Sequence, residues 1–197
     1  MKLIIGLGNT GKEYDGTRHN LGFEAVDAFV TDEEGAWKMD TKRKADVCKL
    51  DVGGMDVVLA KPTTFMNLSG DAVQALASFY KVGPENILIV HDEMDLPPGR
   101  IQFKQGGGDA GHNGVTSIIE RLGTDAFARL RIGIGRPPDP SLGCARDGLP
   151  TPDFVLNKLS PEDAPNAIDT TSAMRDWIEG GTNKASNKWN RSLLGCS

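Results

Sequence analysis

The sequence predicts an α/β fold with a single domain, in which a twisted mixed, largely parallel sheet is flanked by helices. Short uninterrupted apolar runs, such as residues 3–5 and 87–90, are typical of strands buried on both faces. They alternate with segments such as residues 21–29, whose apolar side chains recur at helical spacing. This alternation is typical of α/β domains, and 197 residues are enough for one complete core.

Composition narrows the class of protein. No apolar run approaches the ~18 residues of a membrane span, and the apolar start is too short for a signal peptide. The three cysteines lie far apart, which favours reduced thiols over a disulfide framework or a metal site. We therefore expect a cytoplasmic protein. A net charge of −5 argues against a surface coated for nucleic acid but leaves room for a local basic patch.

In the first half of the chain, the apolar pattern and the turn residues predict five segments. In order, they are a strand (2–7), a helix beginning near Asn20, a surface connection (31–44), a hairpin (46–52 and 55–60) and a helix after Ser69.

In the second half of the chain, the same pattern predicts further strands and helices and one unusually long loop. The elements are a strand (87–90), a strand (100–104), a helix (115–122), a strand (130–134), a lid-like loop (137–153) and a C-terminal helix (161–180). The loop is long and rich in proline, which is typical of a flap. Ser160 and Pro161 mark the helix start, as a capping residue followed by proline in the first turn.

Residues 6–11 fit the dinucleotide-binding pattern G-x-G-x-x-G. That motif requires a helix to begin at its last glycine, so that the amide groups face a pyrophosphate. Here a polar loop follows, and the helix is expected only near Asn20. The sequence therefore disfavours a nucleotide cofactor, although a nucleotide-dependent enzyme remains an alternative hypothesis.

Polar residues cluster at one predicted edge of the sheet. Ligands of open α/β sheets bind beyond the carboxyl ends of the strands. The residues expected there are Asn9, His19, Asn20, Asn67, His91, Asp92, His112 and Asn113. Each asparagine at a helix start could instead be a simple cap. Because His91 and Asp92 are adjacent in an extended strand, only one of them can face the pocket.

This set of side chains predicts hydrolysis by an activated water. Imidazole is a natural general base near neutral pH, worth about a hundred- to ten-thousand-fold in rate. A carboxylate can orient it, and amides can hold a carbonyl oxygen. The sequence has neither a G-x-S-x-G elbow nor an H-E-x-x-H metal motif. The remaining chemistry suits an activated ester.

Basic residues between Gly99 and Pro138 favour a polyanionic substrate. That stretch has six basic and three acidic side chains, a net charge of +3 on an acidic protein. A few phosphate contacts would give salt-sensitive binding. Ordinary solvated surface charges explain the same count equally well.

Several motifs together resemble the bacterial peptidyl-tRNA hydrolase family. They are Gly6-Leu7-Gly8-Asn9, Thr17-Arg18-His19-Asn20, Lys61 to Gly70, His91-Asp92-Glu93, Gly106 to Gly114 and Leu130 to Gly135. The motifs occur in the family's order, without gaps inside any of them, across residues 1–136. Residues 153–156 and the last helix also fit.

The resemblance implies a metal-independent esterase without a cofactor, which frees tRNA by cutting the ester to its terminal ribose. It implies His19 as general base, Asp92 as the group that orients it, and Asn9 as a contact to the peptide. It implies that the acceptor end and CCA terminus contact Tyr14, Phe65, Met66, Asn67, His112, Asn113, Lys104 and Arg131. Of these, Lys104 and Arg131 match positions that hold the terminal phosphate.

The resemblance also implies a monomer without an obligate protein partner or a membrane. The chain departs from the family at Thr10, where proline is usual, and at Asp109, where histidine or glutamate is frequent. A non-catalytic RNA-binding relative on the same fold is the main rival hypothesis, since fold alone does not fix function.

Overall fold

A computed structural model describes residues 1–136, 151–160 and 167–190. Its strands are β1 (Lys2–Gly6), β2 (Lys38–Asp40), β3 (Ala45–Val52), β4 (Met55–Pro62), β5 (Ile87–Glu93), β6 (Ile101–Gln105) and β7 (Ala128–Gly133). Its α-helices are α1 (Leu21–Asp32), α2 (Ser69–Tyr80), α3 (Asn113–Leu122), α4 (Thr151–Leu156) and α5 (Ala167–Trp189).

The strands form one seven-stranded mixed sheet in the order β2-β3-β4-β1-β5-β7-β6. The four central strands, β4, β1, β5 and β7, are parallel. The outer strands β2, β3 and β6 pair antiparallel with their neighbours. The predicted mixed α/β sheet is confirmed. Among the described strands, only β2, inside the predicted connection 31–44, was missed, because three largely exposed residues carry no apolar periodicity.

Helices cover both faces of the sheet. Residues of α1 and α5, including Phe29 and Trp177, pack in one core with alternate residues of the central strands. Residues of α2 and α3, including Leu76 and Ile118, pack in a second core on the opposite face. Full burial on both faces explains why the central strands are continuous apolar runs.

The C-terminal helix differs from its prediction. Instead of ending at residue 180, it resumes after a non-helical Gly181 (φ 68°) and reaches Trp189. Glycine accepts this positive φ without strain, so it kinks the helix instead of ending it. The predicted start at 161 and residues 137–150 of the predicted lid-like loop lie outside the described residues. The prediction of a loop is wrong for residues 151–153, which are the first residues of α4. Within the described ranges, no helix is long and apolar enough to cross a membrane.

Two glycines bring the start of α1 against the ends of β1 and β5. A Cβ at Gly22 would lie 2.3 Å from the Val90 oxygen, and one at Gly6 would lie 2.3 Å from the Gly22 oxygen. The amide of Phe23 donates to the Leu7 oxygen at 3.1 Å. This close approach places the turn before α1 beside the carboxyl end of β5.

We expect Gly22→Ala to destabilise the protein by about 1–3 kcal/mol, because the new methyl group has no space in a packed backbone contact. Urea unfolding followed by circular dichroism measures this loss. Gly108→Ala is the matched control, since a Cβ there meets no atom within 4 Å. Equal stability of the two variants would contradict the close-approach role of Gly22.

Candidate active site

A histidine–carboxylate pair lies where α1 begins and β5 ends. His19 is in a 3-10 turn (Arg18–Asn20) directly before α1, and Asp92 is the sixth residue of β5. The His19 Nδ1 lies 2.9 Å from the Asp92 Oδ1. Because an ionised carboxylate only accepts hydrogen bonds, Nδ1 carries the proton and Nε2 keeps a free lone pair. The neutral His19 is therefore in the tautomer of a general base.

A second histidine donates to the same carboxylate oxygen. The His112 Nε2 lies 3.0 Å from the Asp92 Oδ1, and the His19 and His112 ring centroids are 4.9 Å apart. The His112 Nδ1 accepts the amides of Gly114 and Val115, so this side chain caps α3. An accepting Nδ1 must be unprotonated, which fixes His112 as a neutral donor toward Asp92.

These contacts shift the protonation of both partners. Burial alone would raise the pKa of Asp92, but the two histidines outweigh it and hold that pKa far below its usual range. Burial alone would lower the pKa of His19, but the charge and hydrogen bond of Asp92 bring it above the ordinary value. Asp92 is therefore an anion throughout the physiological range, and it stabilises a protonated His19.

His91 is buried in the sheet and has a structural role. It is 2% exposed, and its Nδ1 donates to the backbone oxygen of Asp92 at 2.6 Å. Burial lowers the pKa of His91 to about 3, so it is neutral. Of the two adjacent residues left open by the sequence, Asp92 faces the pocket and His91 does not.

Asn20 holds Asn9 in place. The Asn9 amide donates to the Asn20 Oδ1 at 2.7 Å, and the Asn20 Nδ2 donates to the Asn9 oxygen at 3.0 Å. This reciprocal pair fixes the backbone after β1 and leaves the Asn9 side chain for the pocket.

The alternative interpretation of the asparagines as helix caps is wrong. Asn20 makes no side-chain cap to α1, α2 is preceded by Leu68, and α3 is capped by His112. Asn67 lies in the 3-10 turn before α2, and Asn113 is the first residue of α3. Both side chains are therefore free of a capping role at those helix starts.

His19 and Asp92 line a cleft of about 350 Å³. Six of the predicted site residues line it, namely Asn9, His19, Met66, Asp92, His112 and Asn113. The other six residues of the wall were not predicted as site residues, namely Glu93, Met94, Ala110, Gly111, Val155 and Leu156. Glu93 and Met94 follow Asp92 directly, so proximity in sequence was a usable signal for them.

Val155 and Leu156 reach the cleft because α4 is tied to the His19 turn. The Arg18 guanidinium donates to the oxygens of Asn157 and Lys158 at 3.3 and 3.1 Å, and it stacks 4.4 Å from the Phe154 ring. These contacts join segments more than 130 residues apart. No local pattern in the sequence indicates them.

The remaining predicted residues lie outside the cleft wall. Phe65, next to Met66, is 78% exposed, Asn67 is exposed and Tyr14 is half-buried. Lys104 on β6 and Arg131 on β7 belong to the far edge of the sheet.

Arg131 is already engaged by its neighbours. Its Nε donates to the Glu93 Oε2 at 2.8 Å, and its Nη1 donates to the Gln102 Oε1 at 2.6 Å. These two partners fix the orientation of a guanidinium that is mostly buried.

One group of side chains has the spacing of metal ligands. His19, Asp92 and His112 each offer a ligand atom within 4.8 Å of the others. In the hydrogen-bonded arrangement described above, the facing nitrogens carry protons directed at Asp92. A metal ion would have to replace both hydrogen bonds.

An α/β sheet with a histidine–carboxylate pair at its strand ends is an arrangement that many hydrolases share. The sequence matches the family model of peptidyl-tRNA hydrolase over residues 3–194. The chain belongs to the peptidyl-tRNA hydrolase family and is a hydrolase.

Relatives and solved structures agree with this assignment. A peptidyl-tRNA hydrolase of Neisseria meningitidis serogroup A is 49% identical over 162 residues, which are 82% of this chain and 80% of the relative. One of Desulforamulus reducens is 41% identical over 97% of this chain and 89% of its own. The Acinetobacter baumannii enzyme has a TM-score of 0.80 at 36% identity, covering 96% of this chain and 94% of its own.

A further crystal structure, of a peptidyl-tRNA hydrolase in complex with N-propanol, has a TM-score of 0.83 at 35% identity. It covers 99% of this chain and 97% of its own. The similarity therefore extends over the whole fold, including both faces of the sheet.

Proposed function

We propose that this chain hydrolyses the ester between a peptide, or an N-blocked amino acid, and the terminal ribose of tRNA, with His19 as general base. The observation that carries the proposal is the hydrogen bond from the His19 Nδ1 to Asp92, 3% exposed, at the floor of a cleft. This bond leaves the Nε2 lone pair available for a water molecule. The reaction releases free tRNA from stalled or dropped-off peptidyl-tRNA.

In the first step, the His19 Nε2 takes a proton from water as the oxygen attacks the ester carbonyl. The imidazolium that forms is stabilised by the anionic Asp92. The amide donor of Asn113, which lines the cleft, holds the substrate near the ester and its developing oxyanion. Asn67 holds the substrate from the exposed 3-10 turn before α2. When the tetrahedral intermediate collapses, the ribose oxygen leaves with the proton from His19. The products are a peptide carboxylate and a free ribose hydroxyl.

The residues around the cleft bind the two parts of the substrate. Asn9, fixed through Asn20, contacts the peptide side and helps to distinguish peptidyl-tRNA from free aminoacyl-tRNA. Tyr14 and the exposed Phe65 offer aromatic faces to the terminal bases, beside Met66. His112 closes the site below the ester by holding Asp92.

The phosphate contacts lie at the edge formed by β6 and β7. Lys104 and Arg131 are on the same face of this edge, because Lys104 pairs with Arg129 and Gln102 pairs with Arg131. We assign the terminal tRNA phosphate to these two cations. We further propose that the protein acts as a monomer in the cytoplasm, where translation produces peptidyl-tRNA.

The proposal is tested by hydrolysis of N-acetyl-aminoacyl-tRNA with and without a chelator. We expect release of tRNA at the same rate in both, and little release from unblocked aminoacyl-tRNA. Binding of tRNA without hydrolysis would favour the non-catalytic RNA-binding alternative. Dependence on an added nucleotide, measured by fluorescence titration, would favour the nucleotide-dependent one.

A further inference from the structure

Arg129 is a buried cation beneath the glycine-rich loop (Gly106–Gly111) that precedes α3. It lies on β7 and is 2% exposed. Its Nη1 donates to the Gly108 oxygen at 2.7 Å, and its Nη2 donates to the Gly107 oxygen. Its Nε is buried and has no partner among the described residues. In the sequence, Arg129 is only one of the six basic residues between Gly99 and Pro138.

Among the described residues, no carboxylate forms an ion pair with Arg129. Both of its hydrogen bonds go to neutral backbone oxygens. Burial lowers its pKa, Asp125, Asp109 and Glu93 raise it from a distance, and Arg131 lowers it. A buried guanidinium remains protonated, and burial without an ion pair is costly. This charge therefore adds a positive potential beneath the glycine-rich loop without being accessible to a ligand itself.

The contact with Arg129 sets the direction of the loop's peptide groups. Since a trans peptide directs its C=O and N–H to opposite sides, the amides of Gly108 and Asp109 point away from Arg129. Gly107 has φ +88°, which favours glycine, and its own amide donates to the Asp125 Oδ2 at 2.8 Å. The loop is therefore held from two sides, by Arg129 and by Asp125.

Lys104 lies directly against this loop. A Cβ at Gly107 would lie 2.8 Å from the Lys104 Cε and 2.9 Å from its Nζ. Lys104 also faces Arg129 across the β6–β7 pair. The end of the Lys104 side chain therefore packs against the backbone of Gly107.

We propose that Arg129 is a positioning residue for tRNA binding, which holds the Gly107–Gly108 segment so that Lys104 and the outward amides face a substrate phosphate. This inference rests on the proposed function of Lys104. It adds a residue that never touches the tRNA but determines where the phosphate-binding groups lie, and it predicts a defect in binding and not in the chemical step.

The experiment compares Arg129→Gln, Arg129→Lys and Lys104→Ala on two substrates. One is full-length N-acetyl-aminoacyl-tRNA, and the other is a short N-acetyl-aminoacyl-CCA oligonucleotide without the paired stem. We expect Arg129→Gln to raise KM for the full-length tRNA by about tenfold, with a much smaller effect on kcat, and to lower the salt dependence of KM as Lys104→Ala does. Arg129→Lys should recover part of the loss.

The short substrate separates positioning from structural damage. If Arg129 only supported the fold, Arg129→Gln would lower kcat equally on both substrates, and that result would overturn the proposal. If Lys104→Ala behaved as wild type on both substrates, the proposed phosphate contact itself would be contradicted. If wild-type protein hydrolysed neither substrate, the proposed function would fail first.

Asp125→Ala is a second variant, for the case in which Arg129→Gln does not fold. Asp125 is exposed and holds Gly107 from the opposite side without contributing a positive charge. We expect it to raise KM for full-length tRNA severalfold and to leave the short substrate's KM within about twofold. An unchanged KM for full-length tRNA would show that the position of the loop does not matter for binding.

Discussion

Replacing His19 with alanine is expected to lower kcat for N-acetyl-aminoacyl-tRNA by about a hundred- to ten-thousand-fold. Among the described residues that line the cleft, His19 is the only one with a free imidazole lone pair, since the His112 nitrogens are both engaged. The substitution removes it. Because His19 does not take part in the proposed phosphate contacts, the Kd for deacylated tRNA should stay within about threefold. Single-turnover hydrolysis and a filter-binding titration measure the two quantities.

The thermal unfolding midpoint of His19→Ala is the control for folding. The side chain has one hydrogen bond and is partly exposed, so its removal should have a small effect on stability. Unaltered turnover in a folded variant would exclude His19 as general base. A parallel loss of tRNA affinity would show that His19 contributes mainly to binding.

Asp92→Asn is expected to lower kcat/KM at neutral pH by a similar factor, of about a hundred- to ten-thousand-fold. An asparagine side chain carries no charge and can present its NH2 group to His19 in place of its oxygen. It therefore neither stabilises the imidazolium nor fixes the His19 tautomer. The buried position between two imidazoles makes this carboxylate sensitive to loss of its charge.

The same variant should change the pH profile in a defined direction. His19 acts in its neutral form, so wild-type kcat/KM should rise with pH through an apparent pKa above the ordinary 6.5. Since Asp92 is what raises the pKa of His19, the residual activity of Asp92→Asn should reach its plateau at a lower pH. Profiles of kcat/KM from about pH 5 to about pH 9 record the rise and the plateau for both proteins.

Asp95→Asn is the matched control, because Asp95 is an exposed acid three residues downstream that pairs with Arg136. Its kcat/KM and its profile should remain those of wild type. If Asp92→Asn kept the wild-type apparent pKa, the ionisation seen in the profile would belong to a group other than His19.

Much of the fold and of the candidate site was predictable from the sequence. The strand of residues 87–90 is apolar at every position because both of its faces are covered, and this signal needs no partner to be recognised. The parallel sheet then directs the residues after β1 and β5 to one edge. For this reason Asn9, His19 and Asp92 could be grouped before their distances were known, and motif similarity assigned the family.

The interactions that only the tertiary structure decided are those between groups far apart in sequence. A cap, a tautomer and an unpaired charge depend on which atoms meet. The His112 Nε2 turned out to hold Asp92, Asn20 to hold the backbone of Asn9, and Arg129 to hold the glycine loop.

His19 shows most clearly which properties follow from the local sequence and which follow from the tertiary structure. Its residue type and its place before a helix are properties of the sequence, and they predicted a base. Its distance of 2.9 Å from Asp92 depends on Gly6 and Gly22, whose missing side chains let α1 approach the ends of β1 and β5. Local sequence determines what each residue can do chemically, whereas packing of distant backbone segments determines which residues do it together.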